Sequence, residues 1–192
     1  MTCGGVYFQD CPIPPCPTQS FPGLWEVPLV AWFNEDGVPC AMMVMITFDD
    51  AVTKINFDYF METLFNRKNP NGCNISATFF ISHDYNDYAL THRLFRRGHE
   101  IALHSISHHL STKASVEQLK HEFVGMKRIL HQFAKIPNEA MKGIRSPNLQ
   151  MSGDNTFQMM EESGIEWDSS WSTVRHSNPP IWPYTLDFPS KQ

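Results

Sequence analysis

From Met42 onward, short apolar runs rich in β-formers alternate with longer amphipathic runs that carry helix caps. This alternation constrains the chain most, because it is the pattern of βα units laid into a parallel sheet. It predicts strands at 42–48, 75–81, 100–103, 142–145 and 165–169, with helices near 53–67, 87–97, 115–133 and 152–163. Ser115 with Gln118 three residues on forms a capping box, Ser152 is a second N-cap candidate, and Gly98 and Gly164 stand where left-handed C-terminal caps fall. Five strands and four helices in about 130 residues make little over half of an eight-unit barrel, which takes about 250. The fold class is therefore α/β, as an incomplete barrel or an open sheet. In either case functional groups belong at the carboxyl ends of the strands.

The first 40 residues differ. They hold Cys3, Cys11, Cys16 and Cys40, with Pro12, Pro14, Pro15 and Pro17 around the middle pair. This reads as a stapled, loop-rich segment of the kind secreted proteins build, although no secretory signal opens the chain. Five cysteines, Cys73 being the fifth, leave at least one without an intrachain partner. One more strand is predicted at 26–33. The linker from it to 42–48 is too short for a parallel crossover, so those two strands are not βαβ neighbours. The proline-rich tail beyond Trp171 predicts an irregular surface loop. Asn74-Ile75-Ser76 is an N-glycosylation sequon, but it opens an apolar run and burial would silence it. An apolar fraction of 42% supports a packed core, and 15 basic against 20 acidic residues give a net charge of −5, with no electrostatic reason to hold nucleic acid. No run approaches the ~18 apolar residues of a membrane span.

Chemistry is sought after each strand. Asp49 and Asp50 follow 42–48, where solvation alone gives no reason for paired carboxylates; the plain alternative is a cap for the run opening at Thr53. His104-Ser105-Ile106-Ser107-His108 follows 100–103, with a third imidazole at His109. Histidines at i and i+4 reach one ion if the segment turns helically. One aspartate and two histidines supply three ligands and leave a position for water, the open arrangement of catalytic zinc sites. Arg145 stands at a third strand end, either orienting a carboxylate or lying on the surface. Asp168 and Trp171 mark a fourth, the tryptophan serving as a groove wall or as core. Trp182 and Tyr184 stack on sugars or merely anchor the tail. There is no nucleophile elbow, phosphate loop or dinucleotide fingerprint, and Cys73 precedes a strand, so nucleophilic catalysis has no candidate.

Thr47-Phe48-Asp49-Asp50, His104 through His108, Arg145-Ser146-Pro147 and Asp168 through Trp171 resemble, in order, the first four motifs of the polysaccharide deacetylase (NodB-homology) family. The text around them is similar to arthropod chitin deacetylases. The resemblance implies a metal-dependent hydrolase on a distorted (β/α) barrel over 42–192 that removes acetyl groups from chitin or related N-acetylglucosamine polymers, extracellular and monomeric. It assigns Asp50, His104 and His108 to one divalent ion, zinc being expected, and Asp49 to the general base. Arg145 would hold Asp49, a backbone N–H near Asn148 would meet the oxyanion, and Ser146, Asn148 and Trp171 would contact substrate. The family's fifth motif, a late histidine that protonates the leaving amine and is tuned by Asp168, is not found, and the C-terminus of the domain reads as incomplete. That predicts metal binding with weak or lost turnover. The alternative is an inactive chitin-binding or carbohydrate-binding protein that keeps the metal site. Residues 9–33 are similar to the text that normally follows such a tail, so 1–41 reads as a displaced part of the domain. Its strand is then expected beside 165–169.

Overall fold

The structure is a computed structural model and describes residues 15–27, 44–172 and 183–187. Along the chain run β1 (Phe21–Glu26), β2 (Thr47–Asp49), α1 (Lys54–Thr63), β3 (Thr78–Ile81), α2 (Tyr88–Arg96), β4 (Glu100–Leu103), α3 (Val116–Ala134), β5 (Gly143–Ile144), α4 (Asp154–Glu162), β6 (Trp167–Asp168) and β7 (Tyr184–Leu186). They fall into two compact units.

One unit comprises Met45–His108 and His121–Met141. Here β2, β3 and β4 pair in parallel, with Asp49 opposite Phe80 and Ile81 opposite Leu103. Phe79, Phe80, Ile81, Ile101, Ala102 and Leu103 are buried, so these strands read as unbroken apolar runs, as strands covered on both faces do. The predicted helices begin where their caps are. Thr53 and Asn56 exchange a capping box at α1, and the Asp87 carboxylate accepts from the Ala89 and Leu90 amides at α2. Gly98 closes α2 in the left-handed region, φ 88°.

An aromatic cluster fills one side of this unit. Phe48 lies 4.3 Å from Phe60 and 5.1 Å from Phe79, and Phe65 covers the buried His99 ring at 4.0 Å. The His99 Nδ1 accepts from the Ala77 amide, and burial, with the Arg97 charge, lowers the pKa of His99. The unfolded chain therefore binds this proton more readily than the folded one. The contribution of neutral His99 is whole above its ordinary value near 6.5 and fades as pH falls toward the lowered native value. In thermal unfolding between pH 7 and 5, His99→Asn, which keeps an acceptor but no titrating ring, is expected to lose less stability than the wild type.

The other unit includes 109–120 and 142–172 among its described residues. Here β5, β6 and β1 run parallel, and β7 is antiparallel to β1. Two sequence expectations need correction. The strand expected at 26–33 lies at Phe21–Glu26; Val27 stands outside it before a proline that cannot donate to a ladder, and 28–33 fall outside the described residues. Its neighbour is β6, Trp25 opposite Trp167, as expected of a strand beside 165–169. The tail is not wholly irregular, since β7 starts directly after Pro183, the strand-opening position that proline tolerates. Residues 173–182, with Trp182, lie outside the described residues.

The box of Ser115 and Gln118 forms at α3. At α4 the N-cap is Gly153, φ 57°, not Ser152, whose hydroxyl goes instead to the Ser111 carbonyl. Glycine is needed at 143 for another reason. A Cβ there would sit 2.1 Å from the Trp167 ring on the paired strand. Gly143→Ala should cost about 1–3 kcal/mol by overpacking, read from denaturant unfolding. Cys16 is disulfide-bonded, Cys73 is a free, exposed thiol, and Asn74 is exposed rather than buried. No helix among the described residues is long and apolar enough to cross a membrane.

Candidate metal centre

Asp49 is the last residue of β2 and is exposed. Asp50 turns sharply away from it at φ 73°, a left-handed conformation that aspartate adopts more readily than most residues. Neither aspartate caps α1, which Thr53 does, so the capping alternative fails. His104 follows β4, with its amide held by the Ile81 carbonyl and its ring 2% exposed overall. His108 returns to the same place four residues later. The segment between them is not the helical turn that the i, i+4 spacing suggested. It is a loop with positive φ at Ser105 (67°) and His108 (57°), closed by the Ser105 hydroxyl accepting from the His108 amide at 3.0 Å.

What fixes that loop was not legible in the motifs. Glu122 of α3 accepts from the Ile106 amide at 2.9 Å and the Ser107 amide at 2.8 Å through one carboxylate oxygen. Three residues on, Gly125 leaves room for Ile106, whose Cδ1 would lie 2.7 Å from a Cβ at that position. Glu122→Ala, which orphans two loop amides, should weaken zinc binding about 10–100-fold, the usual cost of losing an outer partner. Glu122→Gln, which keeps an acceptor, should lose less. Competition against a chromophoric chelator reads both.

The three side chains converge on one point. The Asp50 Oδ1 lies 3.3 Å from His108 Nε2 and 3.7 Å from His104 Nε2, and one ligand atom from each residue lies within 4.8 Å of the others. Bonds of 2.0–2.1 Å at tetrahedral angles would separate ligand atoms by roughly 3.3–3.4 Å, a spacing that the Asp50–His108 pair already has and toward which the others would draw in. Two nitrogens and one carboxylate oxygen suit a borderline divalent ion such as zinc. Asp50 is open to solvent, its side chain 61% exposed, whereas His104 anchors the site from the interior.

In the other unit Arg145 is buried, not a surface residue. Its Nε donates to the Ser169 carbonyl at 2.6 Å and its Nη2 to the Ser169 hydroxyl at 3.0 Å. Asp168 is fully buried and accepts from the Ser170 amide at 2.8 Å and hydroxyl at 2.6 Å. The same hydroxyl accepts from the Ser146 amide at 2.8 Å, which ties the turn carrying Asn148 (φ 53°, exposed) to β6. Trp171 is 1% exposed and meets Phe157 edge-on at 5.6 Å. Its ring is core and offers no face to solvent, which corrects the groove-wall reading. Beside Asp168 lies Glu26, also fully buried, a residue the sequence did not single out.

Residues 36–167 match the polysaccharide deacetylase family model. The chain belongs to this family. The family's polysaccharide and chitin deacetylases are hydrolases acting on carbon–nitrogen bonds. Two silkworm (Bombyx mori) relatives match. Chitin deacetylase 8 is 44% identical over 153 residues, 78% of this chain, and chitin deacetylase 1 is 43% identical over 152 residues, 76% of this chain. The chain spans only 40% and 28% of the lengths of those two proteins. Among solved structures, a family 4 carbohydrate esterase from Bacillus anthracis is 24% identical at TM-score 0.54, over 67% of this chain and 58% of that one. A family 4 carbohydrate esterase from Streptomyces lividans, 20% identical, gives the same score over 67% of this chain and 62% of its own. This likeness establishes the fold, a partial NodB-type (β/α) arrangement.

Proposed function

We propose that this polysaccharide deacetylase chain holds one zinc ion at Asp50, His104 and His108 and removes N-acetyl groups from chitin or a related N-acetylglucosamine polymer. The observation that carries the reading is the convergence of those three side chains beside an exposed carboxylate, Asp49. Bound there, the ion supplies Lewis acidity toward water and toward the acetamide carbonyl. The protein's part is proton transfer and positioning. Asp49 takes a proton from the attacking water, whose oxygen bonds to the carbonyl carbon; the carbon–nitrogen bond then breaks, the nitrogen gains a proton, and acetate and an amine leave. On the order of the motifs in the sequence, a backbone N–H near Asn148, with Ser146 beside it, is assigned to the oxyanion. Arg145 and Asp168 are assigned as catalytic residues on the order of the motifs in the sequence.

The strand β1, paired to β6 and β7, supports reading 1–41 as part of the same domain as 42–192. The disulfide at Cys16 and the exposed sequon at Asn74 support an extracellular location. Acetate release from chitin oligomers, measured with and without added zinc, tests the function. Slow zinc-dependent release is expected, because no residue is assigned to protonate the leaving amine. Oligomer binding without release would replace this reading by that of a binding protein.

A further inference from the structure

Glu26 and Asp168 are register partners on parallel strands, both fully buried, and each carboxyl acts on the other. Their surroundings are unequal. Asp168 draws two hydrogen bonds from Ser170, whereas neither Glu26 oxygen has a donor in good geometry among the described residues. The Trp171 amide favours the ionised form of Glu26 but is outweighed by burial and by Asp168. Charge balance points the same way, since a single guanidinium, Arg145, acts on the two carboxyls. One retained proton leaves the group neutral, and full ionisation would bury an uncompensated anion. Among the described residues, the remaining elements against Glu26 place no further charge on it at neutral pH. Its register partner on β7 is Tyr184, and α4 meets β1 through Phe157 and Phe21.

We propose that Glu26 is a positioning residue whose un-ionised carboxyl donates to Asp168 and, through Asp168 and the Ser170 hydroxyl, fixes the backbone at Ser146. The first link is the shared proton, the second is Ser170 donating to Asp168 at 2.6 Å, and the third is the Ser146 amide donating to Ser170 at 2.8 Å. That backbone leads into the turn at Asn148, so the functional consequence rests on the oxyanion role given to that turn above. Burial, reinforced by the Asp168 charge, pushes Glu26 well above the usual carboxylate range. Asp168, also raised by burial, is drawn back by the donors from Glu26 and Ser170. The stabilising contribution of this proton is whole below the ordinary value of 4.5 and is lost as pH rises toward the raised native value.

Infrared spectroscopy of the intact chain tests this without reference to activity. At neutral pH the wild type should show the carbonyl stretch of a protonated carboxyl. That band should vanish in Glu26→Gln, and the variant should gain thermal stability relative to the wild type as pH rises. If Glu26→Gln does not fold, alkaline titration of the wild type should remove the same band. Absence of the band at neutral pH, its persistence in the variant, or parallel pH–stability curves for the two proteins would overturn the proposal. An active chain lacking the band refutes this pair alone, and an inactive chain showing it refutes only the deacetylase reading.

Discussion

Asp49→Asn is expected to lower acetate release about 10²–10⁴-fold, the usual cost of removing one acid–base group, while leaving the zinc content unchanged. Adjacent carboxylates at one strand end can do different work here because the backbone turns between them. Asp49 closes β2 in register with Phe80, and Asp50 reverses direction at φ 73° to meet the two imidazoles. Asparagine keeps the size and hydrogen-bonding reach of Asp49 and removes only its ability to accept a proton. Acetate assays paired with metal analysis separate the two functions. Unchanged turnover in the variant would remove Asp49 from the reaction, and loss of the ion would make it a ligand instead.

His104→Ala should abolish stabilisation by zinc. Anything that binds only the folded chain raises its stability, by about 2.7 kcal/mol at a free concentration one hundred times the Kd. In the proposed site His104 is the buried donor, enclosed at the end of β4, so removing its ring would take one of three donors and leave a gap that Asp50 and His108 cannot close. The loss in affinity should exceed that of Glu122→Ala. Thermal unfolding with and without zinc reads this, a large upward shift being expected in the wild type and little or none in the variant. Equal shifts in both would place the ion elsewhere.

Much of this was legible in the sequence because the signals were local. Apolar runs bounded by caps marked the strands and helices from α1 to β6, with β4 at its predicted bounds, since a strand buried on both faces has no alternative use for residues such as Ile101 and Leu103; the strand expected at 42–48 is instead β2 at Thr47–Asp49, because Val44 and Met45 are exposed. Asp50, His104 and His108 could be named because strand ends are where this fold class exposes groups. The features that escaped are relations across long separations. Glu122 reaches Ile106 and Ser107 from a helix, and Glu26 meets Asp168, 142 positions later in the sequence, as a register partner. A lone glutamate in an amphipathic or apolar run carries no mark of the amide or carboxyl it will face. Trp171 was ambiguous because a tryptophan's bulk serves a core and a groove equally well, and only burial against Phe157 decides. The predicted strand began five residues later than β1 because the run from Glu26 onward is apolar, whereas Phe21-Pro-Gly-Leu-Trp, which β1 uses, holds a proline and a glycine that do not read as a strand.

X-ray absorption at the zinc edge of the metal-loaded chain tests the central claim most directly. One zinc per chain is expected, with two imidazole nitrogens and carboxylate or water oxygen at about 2.0–2.2 Å and no coordinated sulfur. A sulfur shell near 2.3 Å, or a chain that fails to retain stoichiometric zinc, would contradict it.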